Sequence, residues 1–177
     1  MYLKHWGFKE KPFENTPDPR FLYMTANHEE AFMRMYYCIE ESKGAALLTG
    51  EYGSGKTVLT RALLKELLKN EEKYKVALIV NPSFSSHDLF REIIYQLENV
   101  FTKGSKLELI HHLNEILYKS MNENKKIVVI IDEAQAMENE NMFEEVRLLL
   151  NFQMNDKFLL TLILVGQPDL RKKIDNL

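Results

Sequence analysis

Residues 50 to 57 read Gly50-Glu51-Tyr52-Gly53-Ser54-Gly55-Lys56-Thr57, with glycines set just ahead of an ammonium and a hydroxyl. Glycine admits the tight and left-handed turns that bring successive N–H groups onto one concave surface. Such a cradle, with a lysine at its end, suits the oxygens of a phosphate chain. The order G-x-x-x-x-G-K-T is that of a phosphate-binding loop, in which Lys56 reaches the β- and γ-phosphates and the Thr57 hydroxyl ligates Mg²⁺. Glu51, Tyr52 and Ser54 supply the backbone between the glycines, and Val58 follows in the first helical turn. The pattern constrains few positions, so a glycine-rich turn that merely precedes a helix is the plain alternative. The flanks favour the phosphate loop. Residues 45–49 form an apolar run that suits a buried strand, and residues 58–68 are apolar at helical spacing, so the helix dipole adds positive potential at the loop.

A second group stands at Asp132-Glu133, directly after Ile127-Val128-Val129-Ile130-Ile131. A strand apolar on both faces belongs inside a parallel sheet, and ligands of such sheets bind beyond the carboxyl ends of the strands. There an aspartate supports Mg²⁺, and the next glutamate orients and deprotonates an attacking water. Alone, two acids at a strand end would equally suit a turn cap; joined to the phosphate loop they read as hydrolytic machinery. A carboxylate base favours water as the nucleophile over transfer to a small-molecule acceptor. Gln167 ends the neighbouring apolar run 158–165. From that tip a polar side chain can reach between Glu133 and the γ-phosphate, position water and report phosphate loss. A turn residue before Pro168 is the plain alternative. Lys56, Glu133 and Gln167 are thus the catalytic candidates, and Thr57 and Asp132 the Mg²⁺ ligands.

The elements that must hold these groups alternate along the chain. Strands are predicted at 45–49, 75–80, 127–131 and 158–165, and helices at 27–43, 58–68, from Ser85 or Ser86 to about 101, from Ser105 to about 121, at 141–152 and from 169 onward. Gly44 ends the 27–43 helix, Asn81-Pro82 stops the second strand, and Ser105 with Glu108 forms a possible capping box. Strands alternating with helices imply an α/β domain with a parallel sheet. Residues 1–20 lack a long period, and Thr16-Pro17-Asp18-Pro19 forbids helix, so residues 1–26 stand apart from the periodic chain that follows. They read as a strap on a core of residues 27–177, with Trp6, Phe8 and Phe13 packed on the domain behind; a strap over a bound base is the functional alternative.

Composition bounds the rest. The chain has 177 residues, 45% hydrophobic and 28% charged, as in an ordinary globular protein. Lys and Arg number 23 against 26 Asp and Glu, a formal net charge of −3 that argues against a strongly basic nucleic-acid binder. The single Cys38 excludes an internal disulfide and points to a reducing compartment, and its place in an apolar helical stripe makes it an inert buried thiol. No apolar run is long enough to span a bilayer and no signal peptide is visible, so the cytoplasm is expected. His111-His112 point about 100° apart on a helix and make a poor zinc site.

Taken together, the phosphate loop, the strand ending in Asp132-Glu133 and the strand ending Leu164-Val165-Gly166-Gln167-Pro168 resemble the AAA+ ATPases. The resemblance narrows to the bacterial general secretion pathway protein A type through Phe8-Lys9-Glu10-Lys11-Pro12-Phe13, Thr16-Pro17-Asp18-Pro19-Arg20-Phe21-Leu22-Tyr23, Leu148-Leu149-Leu150-Asn151-Phe152 and Gly166-Gln167-Pro168-Asp169-Leu170. It implies a P-loop sheet sandwiched by helices, with ATP and Mg²⁺ as ligands, Gln167 as the first sensor, and Phe21 and Tyr23 near the adenine. It implies that the strand at 45–49 lies beside the one at 158–165. It also implies a fifth strand, an arginine finger and a helical lid, which residues 1–177 do not supply, so the chain reads as a truncated core; Arg171 falls early for a finger. The implied activity is ATP hydrolysis coupled to assembling or remodelling a protein partner of a secretion or pilus system. The implied assembly is a homo-oligomeric ring or helix, membrane-associated in longer relatives. The alternative is a nucleotide-gated scaffold or transposition regulator that oligomerises on DNA.

Overall fold

The computed structural model describes residues 2–14, 18–137, 140–154 and 157–175. In chain order the strands are β1 (Ala45–Thr49), β2 (Tyr74–Val80), β3 (Lys126–Asp132), β4 (Gln153–Met154), β5 (Lys157–Phe158) and β6 (Leu160–Gly166). The helices are α1 (Tyr2–Trp6), α2 (Ala26–Glu40), α3 (Lys56–Leu68), α4 (Ser86–Glu98), α5 (Lys106–Asn122), α6 (Glu140–Leu148) and α7 (Pro168–Asp175). Four strands form one parallel sheet in the order β1-β6-β3-β2. The α/β class and the pairing of β1 with β6 are as the sequence implies.

Period-two alternation divides the core between the two faces. Ile127, Val129 and Ile131 of β3 and Leu160, Leu162 and Leu164 of β6 pack with α4, α5 and α6. Val128, Ile130, Ile163 and Val165 face the other way, onto α2 and α3 through Met35, Ile39, Leu59, Leu63 and Leu67. β3 and β6 are the inner strands, which is why their sequences are apolar between their ends, with buried Thr161 of β6 the one exception. Deleting a buried leucine of this kind costs about 2–5 kcal/mol, so Leu63, fully buried between α3 and the sheet, helps fix the helix that follows the phosphate loop.

The two edges of the sheet differ. On β2 the Gln96 side chain of α4 caps the strand's outer backbone: Leu78 N–H donates to Gln96 Oε1 at 2.6 Å, and Gln96 Nε2 donates to the Leu78 carbonyl at 2.9 Å. On β1 the carbonyl of Gly44 accepts from Leu162 at 2.7 Å and the N–H of Gly50 donates to Gly166 at 3.2 Å. Alternation along the parallel ladder therefore turns the backbone groups of Leu47 and Thr49 outward. Among the described residues no strand lies on that side, and Leu47 is exposed.

Three sequence expectations are corrected. The apolar run 158–165 is not one strand: Lys157–Phe158 pairs antiparallel with Gln153–Met154, and β6 begins only at Leu160. The helix expected at 27–43 closes at Glu40, because Ser42 and Gly44 both take left-handed backbone, at φ 49° and 82°. The helix expected at 141–152 is α6 followed by a 3₁₀ turn at Leu149–Asn151. The aromatics of the N-terminal segment pack mainly on one another. Tyr2, Phe8 and Phe13 form a triangle with ring centroids 6.0–6.4 Å apart, while Trp6 and Phe13 stay exposed. Of the Thr16-Pro17-Asp18-Pro19 stretch, Thr16 and Pro17 lie outside the described residues.

Candidate functional site

All four parallel strands run toward one end of the sheet, where β1 leaves at Thr49 into the phosphate loop, β3 at Asp132 and β6 at Gly166. The loop turns through left-handed backbone at Gly53 and Gly55, φ 75° and 86°, which any side chain would disfavour. Gly55 is the N-cap of α3 and offers no side chain to cap it, whereas Thr25, Ser85 and Ser105 cap α2, α4 and α5. The N–H groups at the start of α3 have no intrahelical acceptor, and the helix dipole makes that end positive. The Lys56 ammonium is buried and folds back to donate to the carbonyls of Gly50 and Glu51, both at 2.9 Å. Tyr52, at the loop's tip, points into solvent.

Asp132 meets this loop. It is 3% exposed, and burial pushes its carboxyl above the ordinary range. Hydrogen bonds from the Glu133 N–H, at 2.9 Å, and from the Thr57 hydroxyl pull it back, with a smaller contribution from the Lys56 charge. A buried carboxylate beside a threonine hydroxyl is a set of hard oxygen donors, the chemistry that fits Mg²⁺. Glu133 begins the turn after β3 and sits at φ 53°, a left-handed conformation uncommon for a residue with a side chain. Gln167 leaves β6 beside it, its N–H donating to Gln135 Oε1 at 3.1 Å. The structure thus gathers Lys56, Thr57, Asp132, Glu133 and Gln167 at one end of the sheet. No hydrogen bond or ring contact among the described residues ties Phe21 or Tyr23 to the loop. Phe21 lies under the Arg20 guanidinium, 5.3 Å from it, and Tyr23 is exposed.

Two residues emerge that the motifs do not name. His28 joins α2 to the loop: its Nδ1 accepts from the Thr25 N–H at 3.5 Å, and its Nε2 donates to the Ser54 carbonyl at 2.9 Å. It serves as the third residue of a capping box on Thr25, a place usually held by Glu or Gln, so the sequence pattern passed it over. Gln135 donates through Nε2 to Glu133 as well as accepting from Gln167. Its signal was its place two residues beyond the strand-end acids, where a polar side chain can turn back on them. The histidine pair on α5 divides: His112 lies 3.2 Å from Glu98, and His111 is exposed.

Residues 39–174 match a family model described as an AAA domain. The chain belongs to the AAA domain family. This AAA chain is 36% identical over 175 residues to the general secretion pathway protein A of Aeromonas hydrophila, covering 98% of its own length and 31% of that relative's. Solved structures share its fold at low identity. The ORC1 protein of Aeropyrum pernix, in complex with DNA, superposes with a TM-score of 0.67 at 14% identity, over 93% of this chain and 44% of that one. Cdc6p of Pyrobaculum aerophilum gives 0.66 at 21%, over 88% and 42%. The ORC2 protein of Aeropyrum pernix, in ADPNP and ADP complexes, gives 0.64 at 18%, over 95% and 49%. No helix among the described residues of the AAA chain is long and apolar enough to cross a membrane.

Proposed function

We propose that this chain binds ATP with Mg²⁺ in the phosphate loop and hydrolyses it to ADP and phosphate, driving assembly or remodelling of a protein partner in a secretion- or pilus-type system. The observation that supports this most is the placement of the Thr57 hydroxyl beside the buried Asp132 carboxyl. It brings the last residue of the loop motif onto the first of the strand-end acids, each useful to a phosphate-bound cation only in the other's company. Residues 50–57 supply backbone donors and the Lys56 ammonium to the phosphate oxygens. Thr57 and Asp132 would hold Mg²⁺, which when bound offsets the negative charge on the β- and γ-phosphates. Glu133 accepts a proton from water as the water oxygen bonds to the γ-phosphorus. The bond from that phosphorus to the β–γ bridging oxygen breaks, and ADP leaves. Gln167 steadies the water or the γ-phosphate from the tip of β6. Phe21 and Tyr23 are assigned to the adenine side, residues 1–26 to a strap, residues 27–177 to the ATPase core, and the working form to a homo-oligomer. The net charge of −3 leans away from a DNA partner, so duplex DNA should leave turnover unchanged.

The test separates the acids. Glu133→Gln should leave calorimetric ATP affinity nearly intact and cut hydrolysis by about 10²-fold or more. Asp132→Asn should instead weaken the dependence of ATP binding on Mg²⁺. If the two variants behave alike, the division of roles is wrong.

A further inference from the structure

Gln135 stands between the proposed base and the tip of the neighbouring strand. Its side chain spans the two, donating to Glu133 Oε2 and accepting from the Gln167 N–H. Chemistry fixes which way round the amide sits. Reversed, its oxygen would face a carboxylate and its NH₂ would face another N–H, and both contacts would repel. The main chain is held as firmly. Residues 134–136 form a 3₁₀ turn in which Ala136 N–H donates to the Glu133 carbonyl at 2.8 Å. From α7, Lys173 donates to the Gln135 carbonyl at 2.8 Å and to the Met137 carbonyl at 3.1 Å.

Residue 166 makes room for this amide. A Cβ on Gly166 would stand 2.5 Å from Gln135 Oε1 and 2.8 Å from Leu170 Cδ2. Gly166 is not among the residues with left-handed backbone. Its missing side chain therefore serves space rather than conformation. Glu133 does take left-handed backbone, which costs free energy that its surroundings must offset.

We propose that Gln135 is a positioning residue for hydrolysis. Its amide engages one oxygen of the Glu133 carboxylate, leaves the other for the attacking water, and sets both in register with Gln167 just beyond β6. This rests on the hydrolytic reading above, because Gln135 acts only through Glu133. Holding a base in its productive geometry is worth as much as placing the substrate: displacement by an ångström can cost about 10²-fold in rate.

The experiment is single-turnover hydrolysis of γ-labelled ATP with protein in excess, beside calorimetric ATP affinity and thermal melting. The proteins are wild type, Gln135→Ala, Gln135→Leu, Glu133→Gln and the double variant Glu133→Gln/Gln135→Ala. Leucine keeps the volume of glutamine without donor or acceptor, so it separates lost hydrogen bonds from lost packing. Both Gln135 variants should lose roughly 10- to 100-fold in rate with ATP affinity changed less than about 2-fold. In the Glu133→Gln background, Gln135→Ala should change the rate by less than about 2-fold, since the group it positions is gone. Gly166→Ala, which pushes the amide aside, should match Gln135→Ala and add little to it. Wild-type rates in both Gln135 variants, losses that multiply in the double variant, or affinity falling in step with rate would each overturn the proposal. If Glu133→Gln is slow while the Gln135 variants are not, only this proposal falls. If Glu133→Gln keeps the wild-type rate, the assignment of the base falls with it.

Discussion

At the N-terminal end of the sheet, Glu40 accepts from Lys73 at 2.8 Å, lies 3.5 Å from Lys126 and takes a further hydrogen bond from the Tyr74 hydroxyl. At the C-terminal end the Lys56 ammonium donates to the carbonyls of Gly50 and Glu51, while Asp132 is buried with its carboxyl pushed up by that burial. Both ends gather charge at strand termini. In the first, the single Glu40 carboxylate is answered by two ammoniums and a hydroxyl, so its charge is compensated within the protein. In the second, the lysine donates to neutral carbonyls and the aspartate accepts from a backbone N–H, so neither is paired with a full opposite charge by a direct hydrogen bond among the described residues. A closed set adds stability, whereas an open one waits for a ligand that carries the missing charge. A cavity of about 460 Å³ opens at the N-terminal end, lined in part by Lys125, Lys126 and Lys157. Two of those lysines are already engaged, Lys125 3.7 Å from Glu123 and Lys126 with Glu40.

Substitutions at the two ends should therefore separate binding from stability. The largest effect is expected at Gly55, whose φ of 86° becomes strained with any side chain and whose added Cβ would sit 3.2 Å from His28 Nε2. Left-handed backbone costs about 1–2 kcal/mol for a non-glycine residue, so Gly55→Ala should weaken ATP binding roughly 10-fold or more by calorimetry. Unchanged affinity would show that the loop's turn is not what shapes the site. His28→Ala comes next, removing the bond to the Ser54 carbonyl and half of the Thr25 cap. One hydrogen bond contributes about 0.5–1.5 kcal/mol, which limits the expected loss of ATP affinity to a few-fold.

The smallest effect on binding belongs to the opposite end. Glu40→Gln should leave ATP affinity unchanged and lower stability at neutral pH by about 1 kcal/mol in urea unfolding. Burial alone would raise the Glu40 carboxyl, but hydrogen bonds from Lys73 and Tyr74 and the Lys126 charge outweigh it and hold the group below 4.5. Because the folded-state value is the depressed one, this stabilisation is present above 4.5 and lost as pH falls through the folded-state value. Wild type should lose it on acidification, and the variant, lacking it throughout, should show a shallower acid limb. Any change in ATP affinity in Glu40→Gln would erase the contrast between the two ends.

What the sequence made legible was local. The strand at 45–49 has the observed bounds, and those at 75–80 and 127–131 are right to within one residue at each end, because an apolar run between turn residues contains its own signal. The same rule failed at 158–165, where continuous hydrophobicity conceals a bend at Leu159 between a hairpin strand and the central strand. Lys56, Thr57, Asp132 and Glu133 stood in motifs with flanking elements to support them. Gln135 did not, since its partners Gly166 and Gln167 come from another strand and meet it only when β6 lies beside β3. His28 was hidden in the same way, its partner being a loop carbonyl 26 residues along the chain. The N-terminal aromatics misled because apolar side chains in an aperiodic segment imply burial, and these bury partly against one another.

The central claim is that the C-terminal end of the sheet is an ATP site in which Lys56 supplies the charge that the phosphates need. Calorimetric titration of the wild-type chain and of Lys56→Ala with ATP and Mg²⁺ tests it most directly. Charge-assisted hydrogen bonds contribute about 1.5–3 kcal/mol, so Lys56→Ala should bind ATP at least roughly 10-fold more weakly, with an unchanged melting temperature in the absence of nucleotide. Equal affinity in the two proteins, or no binding by wild type, would contradict the account.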